Sequence, residues 1–233
     1  MDSRETSNTA LFFLTELHTL ALLFLVTAYA IKIAELMQKF SVETITPRTS
    51  KTLRAVCYAF ALLVIPWRMD SYRRDPLRYA EFAVLHLAIA TAIGTFATLQ
   101  WTRAFCTREI VAIGLRGVFL SGAIVGLVRL CRRIARREMR LISTPDDYFS
   151  LLLVTAWLVS GWLAVPFAKE LYLIVFLTIG TVCLFYEPFS KLFHYLYWPF
   201  LRYYMGQYFG HRGVYPVRPD SADQSVQNYK RYL

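Results

Sequence analysis

Five long apolar runs divide this 233-residue chain, with charged and polar residues collected between them. The runs cover residues 9–33, 78–101, 109–130, 148–167 and 170–198. Each has about the 20 residues that a helix needs to cross a bilayer core, and the fifth is long enough to project beyond it. Because Lys32 follows the first run in place of a small-residue cleavage site, we expect that run to remain as a span. The pattern predicts an all-α integral membrane protein with five transmembrane helices.

A sixth apolar stretch, 55–67, is too short to span a bilayer. Cationic residues flank it on both sides, as is typical of a short amphipathic helix on a membrane surface. We therefore predict an interfacial helix over about 52–67. The membrane domain is expected over 1–203. A cytoplasmic tail, 204–233, is Tyr-rich and basic, which predicts contact with a partner subunit.

The polar segment STPDD, residues 143–147, precedes the fourth run. It supplies a capping hydroxyl, a proline for the first turn, and two acids near the positive end of the helix dipole. This order of residues predicts that the fourth helix begins here.

The net charge of +10 is distributed unevenly along the chain. About nine Lys and Arg residues lie in 32–78, six in 129–140 and six from Lys191 onward, whereas only four flank the opposite ends of the runs. By the positive-inside rule, this distribution predicts an N-terminus outside and a C-terminus in the cytoplasm. It argues against nucleic acid as a partner and predicts contact with membrane lipid.

Two of the four histidines, His86 and His194, lie at matching distances from basic residues. His86 follows Arg78 by eight positions, and His194 precedes Arg202 by eight. On antiparallel helices both imidazoles would lie roughly 12 Å inside the same face, at about 1.5 Å per residue. A single membrane histidine can equally be a hydrogen-bonded core residue or a member of a proton relay. Two at one level on facing helices fit the axial ligands of a b-type haem.

Three further residues, Glu16, His18 and Arg116, form a second candidate site. Glu16 and Arg116 each lie about seven residues from the outer start of their run, so a buried ion pair is geometrically possible. One interpretation is a quinone or proton site in which His18 donates or accepts a proton. The other, which we favour, is a structural ion pair or a contact with a neighbouring subunit.

Two segments carry a family resemblance: 131–162 is CRRIARREMRLISTPDDYFSLLLVTAWLVSGW, and 186–206 is YEPFSKLFHYLYWPFLRYYMG. They resemble the cytochrome b (gamma) subunit of respiratory nitrate reductase. They also resemble the cytochrome b subunits of transmembrane redox complexes of sulfate-reducing bacteria, of the DsrM, Hmc and Tmc types. The resemblance covers most of residues 78–203, and PFSKLFH is its most specific part. The segment IPWRMDSYRR favours the sulfate-reducer branch.

The resemblance implies a multi-pass protein of the bacterial cytoplasmic membrane, with haem b between the second and fifth spans. The nitrate reductase subunit stacks two haems across the membrane. The ligand positions of its cytoplasm-proximal haem match His86 and His194, whereas those of the other haem match Phe96 and Phe176. One bis-His haem b near the cytoplasmic face is therefore expected, without the outer haem. Lys191 could bind a haem propionate; alternatively, its side chain simply extends to the membrane surface.

The function that the resemblance implies is electron transfer between the quinone pool, or a neighbouring membrane subunit, and a cytoplasmic iron–sulfur subunit. Menaquinone is a candidate second cofactor, and a periplasmic multihaem cytochrome c is a candidate further partner. The chain has no catalytic motif of its own, and its four cysteines lack C-x-x-C spacing. The alternative function is a haem-free membrane anchor or assembly subunit of such a complex. A transporter is disfavoured, since the sequence shows no internal repeat.

Overall fold

A computed structural model describes residues 3–39, 52–61 and 74–209 of the chain. Within these ranges every regular element is helical. The α-helices are α1 (Ser3–Lys39), α2 (Thr52–Ala61), α3 (Pro76–Cys106), α4 (Glu109–Ala135), α5 (Arg137–Ile142), α6 (Pro145–Ala164), α7 (Glu170–Tyr186) and α8 (His194–Phe209). Two short 3-10 helices, Glu187–Phe189 and Lys191–Phe193, lie between α7 and α8.

Five helices are long and apolar enough to cross a membrane. The candidate spans are Glu16–Gln38, Pro76–Leu99, Glu109–Ala135, Pro145–Ala164 and Glu170–Phe189. Each is about as long as a bilayer core is thick, at about 1.5 Å of rise per residue. The prediction of a helical, multi-pass membrane protein with five spans is confirmed. The direction in which the chain crosses the membrane stays a prediction.

The chain divides by its contacts into two compact units. The first comprises Met1–Met37 and Leu77–Phe193 and holds nearly all of the five candidate spans. The second comprises Gln38–Pro76 and His194–Leu233. Of the predicted interfacial helix, the structure describes α2 alone, and the rest of 52–67 lies outside the described residues. Most of the predicted tail lies outside them as well, so its partner contact stays a prediction.

In the first unit, glycines allow α4 to lie close to its neighbours. A Cβ atom built on Gly122 would overlap the Cβ of Ala88 on α3, and one on Gly126 would overlap the hydroxyl of Thr155 on α6. Lipid chains are as apolar as leucine, so membrane helices associate through close packing of small residues. These two glycines therefore position α3 and α6 against α4.

In the second unit, α2 packs on α8. The ring of Phe60 meets the edge of Trp198, with ring centroids 5.5 Å apart. A Cβ on Gly206 would lie 2.9 Å from Cγ2 of Val56, closer than ordinary van der Waals contact. The amphipathic helix predicted near the start of the sixth stretch thus lies directly against the last described helix.

The start of α6 follows the prediction from STPDD. Thr144 is the N-cap residue, and Pro145 opens the helix. The backbone N–H of Thr144 donates to Oδ2 of Asp147, at 2.7 Å, and its hydroxyl donates to the same oxygen, at 2.9 Å. The carboxylate of Asp147, in the first turn of the helix, thereby accepts hydrogen bonds from both donors of the capping residue.

The fifth apolar run, 170–198, does not form one continuous helix. Helix α7 ends at Tyr186, and Ser190 has extended backbone, with φ −102° and ψ 174°. Pro188 has no N–H to continue the helical ladder. The N–H of Ser190 instead donates to the carbonyl oxygen of Glu187, at 3.1 Å. The hydroxyl of Ser190 donates to that carbonyl, at 3.0 Å, and accepts from the N–H of Leu192, at 3.1 Å.

Candidate functional site

His86 is half-buried on α3 and is oriented by the turn that precedes it. Its ring centroid is 4.0 Å from that of Phe82, and its Nδ1 is 2.8 Å from the carbonyl oxygen of Phe82. A carbonyl oxygen can only accept a hydrogen bond, so Nδ1 carries the proton and the lone pair is on Nε2. A backbone carbonyl that binds one imidazole nitrogen in this way is a common support for metal ligation through the other.

Two of the four positions one helical turn from His86 carry small side chains, and the other two carry Phe82 and Ile89. Ala83 and Ala90 lie at i−3 and i+4, the positions that share a helical face with residue 86. Both alanines are exposed. A flat ligand beside the imidazole would meet the methyl groups of Ala83 and Ala90, and also the ring of Phe82, whose centroid is 4.0 Å from that of His86.

His194 is the first residue of α8 and belongs to the second unit. Its side chain is exposed, and its ring centroid is 6.5 Å from that of Tyr195. His194 and Arg202 lie on one helix, α8, and Arg78 and His86 lie on another, α3. The break before α8 places His194 at a helix start, where the sequence pattern predicted a helix interior. Since His86 and His194 belong to different units, their joint ligation of a haem stays a prediction.

Lys191 lies in the break and is tied to the start of α6. Its Nζ is 2.8 Å from Oδ2 of Asp147 and 3.0 Å from the hydroxyl of Thr144. Its backbone N–H donates to Oδ2 of Asp146, at 3.1 Å. The lysine thus forms an ion pair within the protein, and its contact with a haem propionate stays a prediction.

Ion pairs connect the end of α4 to two neighbouring helices. Arg132 pairs with Glu81 near the start of α3, and these side chains are 24% and 13% exposed. Arg133 lies 3.4 Å from Oδ1 of Asp147 at the start of α6. Sequence reasoning assigned these arginines to topology and lipid contact, and it missed the carboxylates opposite them. The available signal was a carboxylate placed just inside the start of α3 and of α6.

Two tyrosine hydroxyls lie in the same polar layer as the ion pairs Arg132–Glu81 and Arg133–Asp147. Tyr29 of α1 donates to Oε1 of the buried Glu187, at 2.6 Å. Tyr186, at the end of α7, donates to Oδ1 of Asp146 at the start of α6. The starts of α3 and α6 and the ends of α4 and α7 therefore meet at one end of the first unit. Consecutive spans α3, α4, α6 and α7 run in alternating directions, and the layer lies on the side predicted to be cytoplasmic.

An aromatic core fills the other half of the first unit. Phe96 and Phe176, at which the resemblance implies the ligands of a second haem in the nitrate reductase subunit, are 1% and 0% exposed, and their ring centroids are 6.1 Å apart. Trp157 lies 5.6 Å and 6.0 Å from these two rings. Phe167 and Phe119 lie 5.5 Å and 6.2 Å from Phe176. The two positions thus lie close together, and phenyl rings pack against each other there.

Within the described ranges, the second candidate site does not contain the ion pair that the sequence made possible. Glu16 is exposed, and Arg116 donates from Nε and Nη2 to the carbonyl oxygen of Val165, at 3.2 Å and 2.7 Å. The ion pair considered for Glu16 and Arg116 is not formed in the described part of the chain. His18 is 3% exposed, with its ring 3.9 Å from that of Phe96. Nδ1 of His18 has no hydrogen-bond partner among the described residues. A quinone or proton role for this site stays a prediction.

Comparison with known proteins yields a distant relative. A curated protein of Nitratidesulfovibrio vulgaris strain Hildenborough, named only "Protein", is 26% identical over 137 residues. The match covers 56% of this chain and 61% of that relative, so the chain spans about three fifths of the relative's length. No family model matches the chain, and no solved structure matches it.

Proposed function

We propose that this chain is a haem b-containing membrane subunit of a respiratory redox complex in the bacterial cytoplasmic membrane. Its role is electron transfer between the quinone pool, or a neighbouring membrane subunit, and a cytoplasmic iron–sulfur subunit. His86 and His194 would hold one haem near the cytoplasmic face. The observation that carries this proposal is the hydrogen bond from Nδ1 of His86 to the carbonyl oxygen of Phe82.

The residues of α3 fit a haem in their donor chemistry. The tautomer of His86 puts the lone pair on Nε2, the atom that ligates iron, and the backbone holds the ring in one orientation. Ala83 and Ala90, one helical turn away, are exposed and carry only methyl side chains. When bound, the haem would supply one-electron redox chemistry, and two imidazole ligands would leave iron no open position for a substrate.

The aromatic core favours the proposal of one haem over two. A phenyl ring has no lone pair for iron, so Phe96 and Phe176 cannot replace histidine ligands. Both rings are buried and touch the same tryptophan. They contribute packing in the half of the unit where the resemblance implies a second haem in the nitrate reductase subunit. Menaquinone and a periplasmic multihaem cytochrome c remain part of the proposal on the resemblance alone.

A pyridine haemochrome assay on the purified complex tests the proposal. We expect about one haem b per copy of this chain. His86→Ala and His194→Ala should each lose the haem while the protein remains inserted and helical. His18→Leu is the matched control, because it removes a buried histidine from another helix and should retain the haem.

The outcomes of this assay are distinct. Full haem content in either His86→Ala or His194→Ala would contradict the ligand assignment. A complex without haem b would support the alternative, a haem-free membrane anchor or assembly subunit. About two haems per chain, with one lost in His18→Leu, would show that a second site uses His18.

A further inference from the structure

The basic segment 129–140, which runs from the last turns of α4 through most of α5, contains six arginines that differ in what they contact. Arg132 pairs with Glu81, and Arg133 pairs with Asp147. Arg129 is partly buried within α4. These three side chains therefore contribute to packing and charge compensation inside the first unit.

A fourth arginine caps the end of α4. Nη1 of Arg140 donates to the carbonyl oxygens of Ile134 and Ala135, at 2.7 Å and 3.0 Å. Carbonyls in the last turn of a helix lack intrahelical donors, so this contact is structural. The side chains of Arg136 and Arg137 are exposed, and in the described part of the protein neither guanidinium has a hydrogen bond or an ion pair. Two full positive charges are thus presented outward at this junction.

Large apolar side chains accompany these two charges. Helix α5 has no buried residue, and Leu141 and Ile142 at its end are 77% and 72% exposed. Leaving two such side chains in water is unfavourable by about 25 cal/mol for each Å² of apolar surface. The segment joins two candidate spans, α4 and α6, so the membrane–water boundary is within a few residues on either side.

We propose that Arg136, Arg137, Leu141 and Ile142 form a binding site for an anionic phospholipid. The guanidinium groups bind the headgroup phosphate, which their planar pair of N–H donors matches in shape and charge. Leu141 and Ile142 insert among the acyl chains beside that headgroup. This site is separate from the haem proposal, since none of its residues contacts His86 or His194 among the described interactions.

The test measures retention of phosphatidylglycerol by the purified full-length protein in phosphatidylcholine nanodiscs, by native mass spectrometry and lipid titration. The variant is Arg136→Gln/Arg137→Gln, which removes two charges that have no internal partner among the described residues. Each basic residue near a membrane surface contributes about a fivefold change in binding, so the variant should bind phosphatidylglycerol about thirtyfold more weakly. Raising the salt concentration should weaken the wild type toward the variant.

The matched control is Arg108→Gln/Lys169→Gln, which removes two exposed charges at the opposite ends of α4 and α7. It should change phosphatidylglycerol retention by less than about twofold. An equal loss in the control would show a general effect of net charge and overturn the site. Unchanged lipid retention in Arg136→Gln/Arg137→Gln would overturn it too. If the same variant keeps the lipid but loses a protein that copurifies with the wild type from native membranes, this face binds a protein partner and the lipid site is rejected.

Discussion

Replacing Gly180 by alanine tests how closely α7 approaches the aromatic core. A Cβ atom on Gly180 would lie 2.6 Å from Cδ2 of Phe96 and 2.8 Å from Nε1 of Trp157. Ordinary van der Waals contact for a Cβ begins at 3.4 Å. Cε2 of Phe96 would lie closer still, so this ring would have to withdraw by more than 3.4 − 2.6 = 0.8 Å, and the indole by 3.4 − 2.8 = 0.6 Å.

Neither ring has space into which it can move. Phe96 and Trp157 are 1% and 2% exposed, and both also contact Phe176. Overpacking of a dense core by one methyl group costs about 1–3 kcal/mol. Because two rigid rings would have to move, the cost of Gly180→Ala should be near the upper end of this range. The higher helix propensity of alanine offsets about 1 kcal/mol of that cost. We expect a net loss of about 1–2 kcal/mol in the free energy of unfolding.

Gly117→Ala on α4 is the matched control, because nothing lies within 4 Å of a Cβ at that position. This variant should be neutral or more stable by up to about 1 kcal/mol. Both variants can be unfolded reversibly with SDS in mixed micelles and followed by circular dichroism. If Gly180→Ala proves as stable as Gly117→Ala, the close approach of α7 to Phe96 and Trp157 is incorrect.

Two further predictions concern buried polar groups. Glu81→Gln should lower the free energy of unfolding by about 2–3 kcal/mol, because it leaves the largely buried guanidinium of Arg132 without its carboxylate. A double-mutant cycle with Arg132→Gln measures the coupling, and simple additivity of the two single costs would show that the ion pair contributes nothing. His18→Leu should raise stability by about 1 kcal/mol, since it removes an Nδ1 that has no hydrogen-bond partner among the described residues. A loss of stability in the same unfolding assay would instead reveal a polar partner for His18.

The number and approximate positions of the spans followed from the sequence, because the length of an apolar run can be compared directly with the thickness of a bilayer. The start of α6 followed as well, since its capping residues are neighbours in sequence. That Arg78 and His86 lie on one helix could be predicted for the same reason. These features depend on residues within a few helical turns of one another.

The break after α7 depended on more than local sequence. Pro188 lies at the end of a helix, yet Pro199 lies inside α8. A proline removes one hydrogen bond in either case, and the surrounding structure decides whether the helix continues. At the break, the hydroxyl of Ser190 supplies replacement hydrogen bonds.

Contacts between helices were decided by the tertiary structure alone. Tyr29 and Glu187 are 158 positions apart, and Arg132 and Glu81 are 51 apart, so no spacing rule relates them. Gly180 and Gly117 are both glycines in apolar helices. A Cβ atom at Gly180 would meet the rings of Phe96 and Trp157, whereas one at Gly117 would meet nothing within 4 Å. Apolar patterning determines which segments enter the membrane, since burial in lipid depends on each segment by itself. Which side chains then meet depends on how the helices rotate and pack against one another, because that free energy belongs to pairs of segments.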